Sequence, residues 1–116
     1  LFLSKIDKDY TLIVFWESSC PKCFNVLKDL IPLYEKYKGK KLEILAVAIE
    51  SNETDYKKAV IERGYHWINI CDFKGWDSPI VDDYNISSTP AMILLDRNKK
   101  IISRPVLVEH IINKFK

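Results

Sequence analysis

The sequence predicts an α/β fold in which a mixed central β-sheet is flanked by helices on both faces. Two apolar runs carry the first part of that reading. Residues 11–16 (Thr-Leu-Ile-Val-Phe-Trp) and residues 42–49 (Leu42 to Ile49) are nearly unbroken, as strands buried on both faces of a parallel sheet are. Each is followed by a stretch of helical period. The second part comes from residues 91–96 and 100–104, two β-prone runs joined by Arg97-Asn98-Lys99, a connection length expected of an antiparallel hairpin. Strand–helix alternation first and a hairpin last together require a sheet of mixed direction.

Taken in order, residues 1–10 are mixed and polar and lead into the first strand, with a short edge segment expected at 2–6. After the first strand and a polar turn, Cys23, Leu27, Leu30, Ile31, Tyr34 and Tyr37 fall on one helical stripe, predicting a helix from 21 to 38. Pro32 lies inside it and removes one backbone donor; Gly39 is its expected stop. Thr54 is the expected cap of a second helix running to Arg63, with Tyr56, Ala59, Val60 and Arg63 on one face and Gly64 ending it. Trp67 to Cys71 reads as a short edge strand. Ser78 and Pro79 suit the cap and first position of a helical turn through Tyr84. Val108, Ile111, Ile112 and Phe115 give the apolar face of a closing helix.

A chain of 116 residues fits one domain with one core. Eighteen basic and sixteen acidic residues are interspersed and give a net charge of +2, which selects neither nucleic acid nor an anionic membrane. No apolar run approaches the ~20 residues of a transmembrane span, and none of the three glycines forms a phosphate-cradling loop. The chain opens at Leu1 with no signal sequence, so residues 1–116 are expected to be a domain excised from a longer envelope protein.

The chemistry concentrates in Phe15-Trp16-Glu17-Ser18-Ser19-Cys20-Pro21-Lys22-Cys23. Pro21 suits the first helical position, because its fixed φ matches the helix and its missing N–H has no partner there. Cys20 then stands near the N-cap, where unpaired N–H groups and the positive end of the helix dipole favour a thiolate. Lys22 adds a nearby positive charge. Cys23 lies one turn inside on the apolar stripe, and the offset of three brings both sulfurs to one side of the first turn, close enough for a disulfide. One activated, exposed sulfur beside one sheltered sulfur is what thiol–disulfide exchange needs. The competing reading is zinc, with Cys71 and His66 completing a set of four ligands; a helix-opening pair directly after a buried strand favours redox chemistry instead. A purely structural disulfide closing so small a loop removes little unfolded-state entropy. No cofactor beyond the Cys20–Cys23 pair and no metal is therefore expected.

These residues resemble the thioredoxin superfamily over nearly the whole chain. The resemblance is carried by Phe15-Trp16 before the pair, by Cys20-Pro21-Lys22-Cys23, and by Ser88-Thr89-Pro90 before a buried strand and hairpin. Within the superfamily the chain is most similar to the TlpA/ResA-like extracytoplasmic thiol-disulfide oxidoreductases, especially thioredoxin-like domains of Bacteroidetes. Trp67-Ile68-Asn69, Tyr84 through Pro90 and Leu95 through Ile102 share that character. The resemblance implies a thioredoxin-like fold and a cis proline at Pro90 facing the disulfide. It also implies that the backbone before Pro90 pairs with the substrate, so Thr89 and Pro90 border a groove.

The departures are specific. The family's buried aspartate, six residues before the first cysteine, is Val14, and a glutamate often found three residues after the second cysteine is Val26. Glu17 and Glu50 remain as candidate proton acceptors for the resolving cysteine. The tryptophan often found before the first cysteine is Ser19, and the inner Gly-Pro pair of thioredoxins is Pro21-Lys22.

The expected activity is disulfide exchange with protein thiols by a monomeric, periplasmic or envelope-anchored domain served by an upstream redox partner. The alternative is a redox-silent thioredoxin-like binding domain of a larger envelope protein. A peroxiredoxin-like peroxidase expects a proline seven and a Thr or Ser three residues before the reactive cysteine, where this chain has Ile13 and Glu17. Trp16, Trp76 and Tyr84 are candidate aromatic walls of the groove. His66 and His110 read as ordinary surface or helix residues and Cys71 as a buried small apolar one.

Overall fold

The computed structural model describes residues 3–115. Strand β1 (Tyr10–Trp16) is the middle of a five-stranded sheet with the order β3-β2-β1-β4-β5. On one side it pairs in parallel with β2 (Leu42–Ala48), which pairs in parallel with the edge strand β3 (Ile68–Ile70). On the other side it pairs antiparallel with β4 (Ala91–Leu95), which makes a hairpin with β5 (Ile101–Ser103). Asp96 closes the hairpin by accepting from the N–H groups of Asn98 and Lys100 at 2.8 and 3.0 Å, while Lys99 takes a left-handed φ of 67°.

The helices lie on both faces, and strand parity decides which core each serves. Leu12, Val14 and Trp16 of β1, Ile44, Ala46 and Ala48 of β2, and Met92 and Leu94 of β4 share one buried cluster with α1 (Pro21–Tyr37), α2 (Glu53–Arg63) and α4 (Val108–Lys114). The alternate residues Ile13, Phe15, Leu45, Val47, Ile93 and Leu95 pack on the other face against Ile80 and Val81 of α3 (Pro79–Asp83). Because both faces are covered, the central strands carry apolar side chains in both directions, which is the physical origin of the unbroken runs.

Three local expectations are corrected. Leu3–Lys5 is a 3-10 turn rather than an edge segment; residue 2 lies outside the described residues. Leu3 packs against the cluster on the α3 face of the sheet and Ile6 is buried. The cap of α2 is Asn52, not Thr54. Asn52 is extended (φ −98°, ψ 106°) and its Oδ1 accepts from the Asp55 N–H at 3.0 Å, while Thr54 is already helical. Helix α1 ends on Lys38 in right-handed conformation, and the Lys38 N–H donates to Tyr34 O at 2.8 Å. Lys8 Nζ reaches the carbonyls of Lys38 and Gly39 from another part of the chain and satisfies the helix end without a glycine cap. Gly64 does close α2 with φ 67°.

The cap assignment has a direct test. Asn52→Ala should lower stability to denaturant by about 1 kcal/mol, the usual cost of losing an N-cap side chain, whereas Thr54→Ala should stay within about 0.5 kcal/mol of the parent.

Candidate active site

The site forms where β1 stops. The chain leaves Trp16 and turns so that the Cys20 N–H donates to Glu17 O at 3.2 Å, and then enters α1 with Pro21 in its first turn. Cys20 is the N-cap, extended at φ −111° and ψ 102°, and its Sγ accepts from the Cys23 N–H at 3.1 Å. A sulfur thus takes the place that a Ser or Asp oxygen usually fills at a helix start. Cys20 and Cys23 are joined as a disulfide, with Cα atoms 5.2 Å apart. Cys20 is half-buried, Cys23 is fully buried in the sheet–helix core, and the Lys22 side chain is exposed.

Opposite the pair lies the loop before β4. The Thr89–Pro90 peptide bond is cis, and Thr89 O lies 4.0 Å from Cys20 Sγ. From Pro90 a cavity of about 520 Å³ opens, walled by Lys22 and Val26 of α1 on one side and by Arg104 and Val106 on the other. The β5–α4 connection was not singled out from the sequence. Its only signal was apolar Val106 and Leu107 outside any periodic segment, and Val106 is 77% exposed.

A description of the Thioredoxin-like family matches residues 7–101. The chain belongs to that family. The thiol-disulfide oxidoreductase ResA of Halalkalibacterium halodurans is 27% identical over 100 residues, covering 86% of this chain and 55% of that protein. Among solved structures, a thiol-disulfide oxidoreductase from Bacteroides fragilis superposes with a TM-score of 0.84 at 28% identity, covering 91% of this chain and 78% of that one. The thioredoxin domain of a thiol-disulfide oxidoreductase from Bacteroides vulgatus gives 0.86 at 27% identity, over 97% and 83% of the two chains. This thioredoxin-like chain spans about half the length of the ResA relative.

The remaining site residues fall in three places. Glu17 sits in the turn before Cys20 and bonds outward: one carboxylate oxygen accepts from Trp76 Nε1 at 3.1 Å and the other from the Thr89 hydroxyl. Glu50, just past β2, accepts from the Ser18 hydroxyl and from the N–H groups of Ser51 and Asn52, both at 3.0 Å. Burial alone would raise the Glu50 carboxyl, but the bonds from Ser18 and from the two backbone N–H groups outweigh it and hold the group below its ordinary value. Cys71 is half-buried and its Sγ donates to Glu50 O at 3.5 Å; burial, the largest influence, pushes its thiol up.

Trp16 is a correction. It is 0% exposed, packed among the rings of Phe24, Tyr56 and Tyr65, so it supports the motif from below and lines no groove. Tyr84 packs its ring against Phe15 on the opposite face of the sheet. Of the three aromatic candidates, Trp76 is the exposed one, at 43%. Val14 is fully buried and Val26 half-buried, so apolar side chains stand at both positions of the family's usual acids. Ser18, the donor to Glu50, has no sequence signal that would single it out. Among the described residues no three His, Cys, Asp or Glu side chains cluster as metal ligands, and no helix is long and apolar enough to cross a membrane.

The Glu50 bonds predict a pH dependence. A carboxyl held low in the folded state stabilises the fold fully above its unfolded value of about 4.5 and loses that contribution as pH falls through the lower folded value. Glu50→Gln should therefore flatten the loss of stability between about pH 5 and pH 3 in denaturant titrations. An unchanged slope would mean that the Glu50 carboxylate contributes no pH-dependent stability.

Proposed function

We propose that this domain exchanges disulfides with protein thiols through Cys20-Pro21-Lys22-Cys23, outside the cytoplasm and as part of a longer envelope protein. The observation that carries the reading is the placement of Cys20: its sulfur caps α1, it is half-exposed, and Thr89 O stands 4.0 Å away at the edge of the cavity. The backbone N–H groups of a helix start stabilise negative charge on that sulfur. Cys23, buried one turn further on, is shielded from other thiols and is within reach of one disulfide only, that of Cys20.

In the reductive direction the Cys20 thiolate attacks one sulfur of a substrate disulfide. A mixed disulfide forms and the other substrate sulfur leaves as a thiolate that takes up a proton. Cys23, as its thiolate, then attacks Cys20 Sγ, closing the intramolecular disulfide and releasing the second substrate thiol. Two electrons pass from the domain to the substrate, and an upstream dithiol restores the reduced pair. The oxidative direction runs the same steps backwards. Thr89 and Pro90 supply the edge on which the substrate peptide lies, and the wall made by Val106 supplies apolar contact beyond it. Glu17 and Glu50 act on the frame of the motif: each has its carboxylate committed to donors on neighbouring segments.

Trapping tests the division of labour. With Cys23→Ala the mixed disulfide has no escape, so disulfide-linked adducts with envelope proteins should accumulate after acid quench and alkylation. Cys20→Ala should trap almost none. Equal trapping by both variants would overturn the division of labour between the two cysteines. Adducts from neither would turn the reading to a thioredoxin-like binding domain without redox turnover.

A further inference from the structure

We infer that Glu17 is a positioning residue of the substrate groove, holding Thr89 and Trp76 together so that the indole forms an aromatic wall for a substrate side chain. The inference rests on the exchange reading above and specifies its substrate: a peptide disulfide flanked by an aromatic or apolar residue. Glu17 lies three residues before Cys20, and its two carboxylate oxygens reach groups 59 and 72 residues away, Trp76 Nε1 and the Thr89 hydroxyl. The carbonyl of the same Thr89 stands 4.0 Å from Cys20 Sγ. One side chain therefore connects the cysteine turn, the cis-proline loop and the segment between β3 and α3.

That segment presents Trp76 in a single 3-10 turn (Gly75–Asp77) reached through two positive-φ residues, Phe73 at 62° and Gly75 at 57°. Trp16 and Trp67 are buried at 0% and 5%, whereas Trp76 leaves 43% of its surface open. A large apolar ring held in solvent by a bond through its only polar atom is oriented for contact with an incoming group. The motif turn itself carries Ser19 immediately before Cys20, so it brings no aromatic of its own to that flank. The pairing also explains why residue 17 bears two acceptors. An indole N–H only donates, and a carboxylate serves it and a hydroxyl at once. Glutamine can do the same, because its oxygen accepts from the indole while its amide donates to the threonine oxygen; alanine can do neither.

The test compares two substrates of the reduced domain: a short peptide closed by one disulfide, made with Phe or with Gly beside the attacked cysteine, and bis(2-hydroxyethyl) disulfide, which has neither a backbone to lay along Thr89 nor a ring to meet Trp76. Second-order rate constants are measured for each. In Glu17→Ala the ratio of the Phe-peptide constant to the small-disulfide constant should fall about tenfold, the scale of losing one or two hydrogen bonds that hold a binding edge. Glu17→Gln should recover the ratio to within about threefold. Trp76→Ala should abolish the preference for Phe over Gly, and adding it to Glu17→Ala should lower the ratio no further. Acrylamide should quench the exposed indole more readily in Glu17→Ala than in Glu17→Gln. Rate constants that fall together for all substrates, or a Phe preference untouched by Trp76→Ala, would overturn the inference. A reduced wild-type domain that reacts with neither disulfide would overturn the exchange reading and this inference with it, a result distinct from a reactive domain indifferent to residue 17.

Discussion

Everything at the site hangs on the junction between β1 and α1. β1 is bonded to β2 along one side and β4 along the other, and from Leu12 to Trp16 its side chains are shut off from solvent. A strand fixed in this way delivers its C-terminal end to one place with little freedom. Only Glu17, Ser18 and Ser19 separate it from the N-cap of α1. The first N–H groups of a helix need acceptors, and here Cys20 supplies one through Sγ and another through its carbonyl, which accepts from Cys23 and Phe24 at 3.1 and 3.3 Å. Cys20 is thus a structural residue as well: the sulfur joined to Cys23 is also an atom that starts the helix.

The sheet order explains why the turn is held from two sides. β2 and β4 flank β1, so the residues just after β2 and just before β4 arrive beside the cysteine turn. Ser18 bonds to Glu50 from the β2 side, and Glu17 accepts from Thr89 on the β4 side. A three-residue polar turn above an apolar sheet end has no packing of its own to define it, and these side-chain bonds define it instead. The same arrangement carries Thr89 to the rim of the cavity, so the groove edge and the cysteine pair share one support.

The fold was legible because both covered faces of the sheet leave a mark in the chain: unbroken apolar runs in β1 and β2, a 3.6 period in α1, and short polar connections. Even the burial of Trp16 was available. It shares parity with Leu12 and Val14, which places it on the α1 face beneath the motif; treating it as a groove wall overlooked that rule. What was not legible depended on distant partners. Asn52 and Thr54 are equally good cap types, and the choice is made by where the backbone leaves β2 and becomes helical. Gly39 was the local candidate to stop α1, but Lys8, some thirty positions earlier, satisfies the last carbonyls. The bonds of Glu17 to Trp76 and Thr89 span most of the domain, and no local pattern announces them.

The apolar residues at positions 14 and 26 bear on how the two sulfurs come to differ. Val14 and Cys23 are buried in one cluster, and Val26 packs at its border, so the usual acid positions offer no carboxylate. The asymmetry of the pair then rests on position along α1. Cys20 stands at the positive end of the helix with part of its surface open, and Cys23 stands one turn inside, enclosed by the sheet. Helix terminus and burial act on every residue at these places whatever their neighbours, so a chain lacking both acids still separates an accessible sulfur at the helix start from a sheltered one. The two acids nearest the motif, Glu17 and Glu50, have their oxygens committed to Thr89, Trp76, Ser18 and backbone N–H groups, and these bonds tie the cysteine turn to the segments on either side of it.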